Sequence, residues 1–317
     1  MLTQKAIIAG SNSKLLAQKI ATNTNIELLS PRVVHFINSE MKTTLPDNLV
    51  DFKKTVIVQS TSNPANDNFV EMALLADTLQ REKIQDIKAL VPYFGYARQD
   101  KQHLPHESVS IEVMIKLLKS VGISKVATVD IHNESAITKY NLPIQNISAV
   151  PFLAGQIYKS MRLNPELEAD ITIVSPDYGG IKRAELFAKY FYKNPKNAEI
   201  VSIKKQRHLD KTHYSEAVEL RGEIRDKKVI LIDDVSTSGG TLLNALELCK
   251  ANGVGEVYCL VIHADFAKGV AEKFQNSDFK KLFTTNTIEK TVENLEFFDK
   301  IEVIDISPIF DEFVISD

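Results

Sequence analysis

Two adjacent carboxylates and a short run of hydroxyls and glycines offer the clearest chemistry in this sequence. Asp233 and Asp234 follow the apolar run Val229–Ile232, and the segment Thr237-Ser-Gly-Gly-Thr241 comes shortly after them. With the amphipathic segment Leu242–Leu248 behind it, this order predicts a strand, a small-residue turn and a helix. Backbone N–H groups and the dipole at the start of such a helix favour a bound anion.

The residues of this turn indicate which kind of anion it binds. Gly239 and Gly240 let the backbone approach a phosphate closely, and hydroxyl donors come from Thr237, Ser238 and Thr241. No lysine follows the second glycine, which excludes a nucleotide P-loop. The acidic pair suits a sugar diol and hydrated magnesium better than a bare polyphosphate. An ordinary strand-to-helix turn is the alternative, but it requires neither the two carboxylates nor so many small residues.

A second cluster combines aromatic rings, a cation and an amide. It is Val91-Pro-Tyr-Phe-Gly-Tyr-Ala-Arg-Gln-Asp100, which begins at the end of a predicted strand. Arg98 and Gln99, with the neighbouring rings, can hold a purine nucleotide by stacking and charge-assisted hydrogen bonds. The alternative for the aromatic residues alone is that they form the edge of the hydrophobic core, with the arginine in solvent beside them.

Asp130 and His132 end another predicted strand, which begins at Lys125. Residues two apart on a strand face the same side, so we expect both to meet one metal–nucleotide complex. Magnesium prefers oxygen, which makes His132 a partner of phosphate or metal-bound water rather than a tight ligand.

A basic segment, Ile203-Lys-Lys-Gln-Arg-His208, follows a further predicted strand and precedes a polar stretch. Cations on a loop that closes over a site can stabilise negative charge and exclude water. A solvated basic face is the alternative, and the position of this segment between a strand and the Asp233 loop favours the functional interpretation.

Composition excludes several classes of protein. The formal net charge of −3 gives no support to a nucleic-acid or anionic-membrane partner. The longest apolar runs are too short to span a bilayer, and the N-terminus lacks the layout of a signal peptide. The only cysteines, Cys249 and Cys259, lie in apolar patterns, which predicts reduced core residues in a cytoplasmic protein.

The elements that position these residues alternate along the whole chain. Short β-branched strands separated by amphipathic helices predict an α/β fold with mostly parallel sheets flanked by helices. Such sheets bind ligands at the carboxyl ends of their strands, where the candidate residues fall. At 317 residues we expect two domains of similar architecture, with a boundary near Asn146–Pro151.

Read together, five segments resemble the ribose-phosphate pyrophosphokinase family, whose fold is of the phosphoribosyltransferase type. The resemblance runs from Ile7 to about Ile306 and rests on the following segments: Ser60-Thr-Ser-Asn-Pro-Ala-Asn-Asp67, Tyr93-Phe-Gly-Tyr-Ala-Arg-Gln-Asp100, Val129-Asp-Ile-His132, Ser175-Pro-Asp-Tyr-Gly-Gly180 and Asp233–Thr241. It implies two similar phosphoribosyltransferase-like domains, at residues 1–148 and 149–298, with about 299–317 packing back on the first.

The resemblance also implies roles for individual residues. In the first domain it implies an ATP site formed by Arg98, Gln99, Asp100 and His132, together with Phe36, Asn38 and Glu40 from a neighbouring subunit. In the second it implies ribose 5-phosphate binding by Asp177, Asp233, Asp234, Thr237, Ser238, Gly239, Gly240 and Thr241. Lys205 and Arg207 would be the catalytic pair on a flexible loop. Mg²⁺ would be the cofactor, near His132 and Asp177. The shared ATP site implies a homo-oligomer, at least a dimer and possibly a hexamer.

The implied reaction transfers the diphosphate of Mg-ATP to ribose 5-phosphate and releases AMP. A phosphoribosyltransferase and a non-catalytic regulatory homologue of the synthetase are the alternatives. The chain departs from phosphate-activated members of the family around Asn48–Lys54, at His106 and in Ser135–Tyr140. In those members these regions build an arginine-rich regulatory anion site between subunits. We therefore expect activity without inorganic phosphate.

Overall fold

Parallel strands separated by helices build both halves of this chain in the computed structural model. The structure describes residues 5–102, 104–163, 165–210, 213–222, 224, 227–295 and 298–316; side chains are not described for Val50, 165–167, 204–210, 213–221 and Val292. The chain divides into two compact units. Unit 1 comprises 1–148, 286–290 and 305–317, and unit 2 comprises 149–285 and 291–304.

Unit 1 contains a six-stranded parallel sheet in the order β2-β1-β5-β6-β7-β8 and a separate antiparallel hairpin, β3–β4. The strands of this unit are β1 Lys5–Ala9, β2 Glu27–Leu29, β3 Arg32–His35, β4 Met41–Thr44, β5 Lys54–Val58, β6 Asp86–Val91, β7 Lys125–Val129 and β8 Ile144–Ile147.

Unit 2 contains a seven-stranded sheet in the order β11-β10-β9-β12-β13-β14-β15, parallel except where β10 pairs with β11. Its strands are β9 Ile171–Ser175, β10 Ile200–Asp210, β11 His213–Arg221, β12 Lys228–Ser236, β13 Glu256–Ala264, β14 Lys281–Thr285 and β15 Ile301–Ile304.

Amphipathic helices connect the strands. In chain order they are α1 Lys14–Thr24, α2 Ala65–Arg81, α3 Ser110–Ser120, α4 Glu134–Ile137, α5 Val150–Ser160, α6 Ile181–Phe191, α7 Gly240–Ala251, α8 Val270–Asn276, α9 Glu289–Val292 and α10 Asp311–Ile315. Short 3₁₀ helices span Asp47–Asp51, Pro165–Asp170, Pro195–Asn197 and Ser307–Phe310.

Burial follows the patterns that predict these elements. Strands β1 and β9 are buried at every position, as expected where helices cover both faces of a parallel sheet. Helix α3 buries Ile111, Ile115 and Leu118, whose spacing forms one apolar face. Cys249 and Cys259 are buried and free, which confirms the prediction that both lie in the core. In the described part of the chain, no helix is long and apolar enough to cross a membrane.

The final segment of the chain joins unit 1 later than predicted from the sequence. Residues 286–290 already belong to unit 1, but Ile301–Ile304 form β15, which pairs with β14 in unit 2, so the final segment begins at Asp305 rather than at about residue 299. Two buried lysines hold the end of the chain. Lys5 Nζ donates to the carbonyls of Val314 and Ile315 at 2.9 Å, and Lys88 Nζ donates to that of Ser316 at 2.8 Å.

Candidate active site

Asp233 and Asp234 lie within β12 rather than at its end. The strand continues to Ser236 because it pairs with β13 as far as Ala264, whereas its pairing with β9 stops at Leu231. The two carboxylates therefore lie where β12 extends beyond its pairing with β9. Both aspartates are buried, at 8% and 6% exposure.

Arg183 of α6 lies against both carboxylates. Its Nη1 is 3.9 Å from Asp233 Oδ1, and its Nη2 is 3.3 Å from Asp234 Oδ2. Burial first, and then the neighbouring Asp234, raise the pKa of Asp233 to about 8, although Arg183 acts in the opposite direction. One guanidinium is therefore not enough to keep both carboxylates ionised near neutral pH, and a further cation or hydrogen-bond donors at this position would favour the ionised pair.

The predicted phosphate loop joins β12 to α7. Gly239 has a φ of 78°, and a Cβ there would lie 3.3 Å from the side chains of Phe274 and Val270. A Cβ on Gly240 would meet only Ser238 Oγ, at 3.6 Å. Thr237 and Ser238 are exposed and Thr241 is half-buried at the first turn of α7. The loop thus presents hydroxyls at an accessible helix N-terminus. The left-handed backbone conformation at residue 239 favours a glycine there, whereas the space beside Gly240 is open.

Asp177 follows β9, the neighbour of β12 in the same sheet. Its Oδ1 accepts a hydrogen bond from the Gly180 N–H at 2.8 Å, and its backbone carbonyl accepts one from Ser175 Oγ at 2.7 Å. The carboxylate therefore stabilises the turn before α6 and remains exposed at the sheet edge. The structure places Asp177 just after β9, and Asp233 and Asp234 in the part of the neighbouring strand β12 that extends beyond its pairing with β9.

In unit 1, the aromatic segment after β6 is held by Thr61 on the loop after β5. Thr61 N–H donates to the Tyr93 carbonyl at 2.9 Å, Thr61 Oγ1 donates to the same carbonyl at 3.0 Å, and Thr61 Oγ1 accepts from the Gly95 N–H at 2.8 Å. A Cβ on Gly95 would lie 2.2 Å from the Thr61 carbonyl oxygen. These contacts fix the turn from which Arg98 and Gln99 extend, both exposed.

The sequence prediction for Asp130 and His132 is wrong in its geometry. Strand β7 ends at Val129, and Asp130 has a φ of 35°, so the alternation of a strand does not continue to His132. Asp130 is buried and accepts a hydrogen bond from Ser148 Oγ at 2.8 Å, whereas His132 is exposed. The next residue, Asn133, donates its side-chain amide to Asp100, which links the end of β7 to the aromatic segment.

Phe36, Asn38 and Glu40 form the tip of the β3–β4 hairpin. The Phe36 N–H donates to the Glu40 carbonyl at 2.8 Å, and the Glu40 N–H donates to Asn38 Oδ1 at 3.3 Å. All three residues are exposed, and Phe36 has 49% of its surface accessible. Within unit 1 the tip is thus a closed turn whose side chains face outward.

Lys205 and Arg207 lie in β10, which extends to Asp210 and pairs with β11. Their backbones pair with those of Val218 and Glu216, so the predicted loop position is wrong for these two residues. Only the first part of β10, Ile200–Ser202, also pairs with β9. The side chains of Lys205 and Arg207 lie outside the described residues.

Comparison with known proteins covers nearly all of the chain. Residues 5–122 match the N-terminal domain of ribose phosphate pyrophosphokinase, and residues 144–297 match the phosphoribosyl transferase domain. The ribose-phosphate pyrophosphokinase of Aquifex aeolicus is 32% identical over 97% of this chain and 94% of that protein. That of Clostridium tetani is 31% identical over 97% of this chain and 92% of that protein.

This chain belongs to the ribose-phosphate pyrophosphokinase family. The crystal structure of phosphoribosylpyrophosphate synthetase from Mycobacterium smegmatis agrees in fold, with a TM-score of 0.87 at 24% identity over 98% of both chains. The predicted class, two phosphoribosyltransferase-like α/β domains with mostly parallel sheets, is therefore confirmed.

Sequence reasoning missed two side chains in this family member. Arg183 lies in the first turn of the helix after Gly179-Gly180. The only indication of its role in the sequence is that a cation follows shortly after the end of a predicted strand. Thr61 lies in the quoted segment Ser60–Asp67, but nothing in the sequence indicates that it bonds to a turn more than thirty residues away. Among the described residues, no group of three or more His, Cys, Asp and Glu could hold a metal ion.

Proposed function

We propose that this protein transfers the diphosphate group of Mg-ATP to the anomeric hydroxyl of ribose 5-phosphate, giving 5-phosphoribosyl 1-diphosphate and AMP. The observation that carries the proposal is the pairing of Asp233 and Asp234 with the open hydroxyl loop at the start of α7. Membership of the ribose-phosphate pyrophosphokinase family supports the same reaction. The hydroxyl oxygen attacks the β-phosphorus of ATP, and the bond from that phosphorus to the α-phosphate oxygen breaks.

Ribose 5-phosphate would be held in unit 2. Its phosphate takes hydrogen bonds from the loop formed by Thr237, Ser238, Gly239, Gly240 and Thr241, where the N-terminus of α7 favours an anion. Its ribose hydroxyls donate to Asp233 and Asp234, which lie directly before that loop. Asp177, which follows the neighbouring strand β9, adds a third carboxylate to this edge of the sheet and would help to bind the ribose and its associated metal.

ATP would be bound by residues of unit 1. Arg98 and Gln99 extend from the turn held by Thr61, and Asp100 is tied to Asn133 beside His132. The exposed hairpin tip would complete the ATP site of a second copy through Phe36, Asn38 and Glu40. We therefore propose a homo-oligomer, at least a dimer and possibly a hexamer. Ile37 at the same tip is fully exposed, which supports its burial against another copy.

Lys205 and Arg207 would act on the transferring diphosphate. Negative charge develops on the β-phosphate and on the departing oxygen of AMP, and fixed cations stabilise it most in a site that excludes water. Their place in the paired strand β10 gives both backbones defined positions.

The residues present fit a magnesium ion. Magnesium is held by oxygen ligands, usually one or two carboxylates together with water and substrate phosphates. The exposed carboxylate of Asp177 and the neighbouring acidic pair suit it, because a bound cation would stabilise the ionised form of Asp233. When bound, magnesium would neutralise phosphate charge. In unit 2, Asp177 would hold a magnesium ion directly. In unit 1, His132 would orient a phosphate or a water on a separate magnesium ion bound with ATP.

One assay separates this proposal from its two alternatives. Purified protein incubated with ATP, magnesium and ribose 5-phosphate should release AMP. A phosphoribosyltransferase would instead consume 5-phosphoribosyl 1-diphosphate when given a base, and a regulatory homologue would do neither. We propose a cytoplasmic location, which the two reduced, buried cysteines support.

A further inference from the structure

Among the residues that the structure describes, Arg183 forms ion pairs with both members of the acidic pair of unit 2, Asp233 and Asp234. Its two terminal nitrogens reach different carboxylates, at 3.9 Å to Asp233 and 3.3 Å to Asp234. The contact is enclosed, because the side chains of the three residues are 16%, 11% and 8% exposed. An ion pair at such burial is screened far less than one on the surface.

The backbone before α6 brings Arg183 to this place. A Cβ on Gly180 would lie 2.6 Å from Ser175 Oγ and 3.6 Å from Arg183 Nη1. The lack of a side chain at Gly180 therefore lets the first turn of α6 approach the end of β9, next to β12. From this closely packed turn Arg183 reaches the acidic pair.

Backbone N–H groups hold the same two carboxylates. Asp233 Oδ1 accepts a hydrogen bond from the Asp234 N–H at 2.9 Å, and Asp234 Oδ1 accepts one from the Val235 N–H at 2.9 Å. Arg183 contacts the other oxygen of Asp234, Oδ2, and the same Oδ1 of Asp233, so each carboxylate has both a backbone and a guanidinium contact. A planar guanidinium can serve two acceptors at once, which an ammonium group does less well.

We propose that Arg183 is a positioning residue for the ribose: it holds Asp233 and Asp234 in the orientation in which they accept the sugar hydroxyls. This inference rests on the proposed function. Without Arg183, the guanidinium no longer holds the two buried carboxylates in this orientation, and their mutual repulsion is less well offset. The ribose then loses two fixed acceptors, while the ATP residues of unit 1 are unchanged.

The test compares Arg183→Gln with Lys182→Gln and Arg183→Lys. Lys182 is the exposed neighbour on the same helix turn, so Lys182→Gln removes the same charge without touching the acidic pair. Arg183→Lys keeps the charge but not the planar fork. Each variant is compared with wild type for the KM of ribose 5-phosphate, the KM of ATP, kcat, thermal unfolding, and direct binding of ribose 5-phosphate by calorimetry.

We expect Arg183→Gln to raise the KM of ribose 5-phosphate at least tenfold and to leave the KM of ATP within twofold. Arg183→Lys should restore part of the loss, and Lys182→Gln should match wild type. Equal changes in both KM values, or an Arg183→Gln variant that binds ribose 5-phosphate as wild type does, would overturn the inference. A wild type that neither binds ribose 5-phosphate nor releases AMP refutes the proposed function itself.

Discussion

The Gly95 N–H donates a hydrogen bond of 2.8 Å to the hydroxyl of Thr61, and this contact ties the aromatic segment after β6, the proposed ATP segment of unit 1, to the loop after β5. The same hydroxyl donates to the Tyr93 carbonyl at 3.0 Å, so one buried side chain closes the turn from both ends. The turn leads directly to Arg98 and Gln99. The positions of Arg98 and Gln99, which we propose bind the nucleotide, therefore depend on a residue that need not touch the nucleotide.

We predict that Thr61→Val raises the KM of ATP about tenfold, because an unsatisfied buried donor costs roughly 1–3 kcal/mol and loosens this turn. The KM of ribose 5-phosphate should stay near the wild-type value. Thr61→Ser keeps the hydroxyl and should recover most of the affinity.

Thr55→Val is a matched control in the same unit. The Thr55 hydroxyl is buried without a hydrogen-bond partner in the structure, so its loss should be neutral or stabilising. If Thr61→Val and Thr55→Val gave the same kinetic constants, the Thr61 hydroxyl would have no role in placing the ATP segment.

The two glycines of the phosphate loop should respond differently to substitution. A side chain at Gly240 has open space around it, so Gly240→Val should fold normally but obstruct the ribose 5-phosphate and raise its KM far more than that of ATP. Gly239→Ala should instead lower stability by roughly 1–3 kcal/mol, because of its φ of 78°. Steady-state kinetics and thermal unfolding of both variants check this. Equal effects of Gly240→Val on the two substrates would contradict the assignment of the loop.

Lys205→Ala and Arg207→Ala should each lower kcat by roughly a hundredfold or more, because the two positive charges would stabilise negative charge that develops mainly in the transition state. Substrate binding should change much less. Rates measured at saturating substrate, together with calorimetric binding of ATP, separate these effects. A variant with near-normal turnover would remove that residue from the catalytic pair.

The buried acidic pair should make stability depend on pH. The pKa of Asp233 is about 8 in the folded protein and near 3.8 when the chain is unfolded, so between these values the folded state binds more protons. Stability from this group is therefore present at low pH and is lost as pH rises from about 4 to about 8. Asp233→Asn removes this loss.

Chemical denaturation in metal-free buffer tests this prediction at two pH values. Relative to wild type, Asp233→Asn should gain stability between pH 5 and pH 8. A stability difference between the two proteins that is the same at both pH values would show that Asp233 is ionised normally in the folded state.

The alternation of strands and helices and the Asp233–Thr241 segment could be predicted from the sequence, because burial and loop chemistry leave local patterns. Arg183 and Thr61 could not, because their contacts join elements far apart in the chain. The extent of β12 was also missed. Pairing with β13 carries the strand through two charged residues, and local hydrophobicity cannot indicate such pairing.

Activity should not require inorganic phosphate. The chain has His106 where phosphate-activated relatives are expected to have an arginine, and a bound anion needs charge-assisted donors to offset its desolvation. ADP should then act mainly by competing with ATP. Phosphate titrated into a phosphate-free assay at constant ionic strength and free magnesium should change the rate little. Steep activation from near-zero activity would refute this prediction.

The fate of the β-phosphorus of ATP tests the central claim most directly. ATP labelled with ³²P at the β position is incubated with magnesium, ribose 5-phosphate and purified protein, and the products are separated. The account predicts that the label appears in 5-phosphoribosyl 1-diphosphate and that unlabelled AMP forms in equal amount. Label retained in ADP, or no transfer to the sugar, would contradict it.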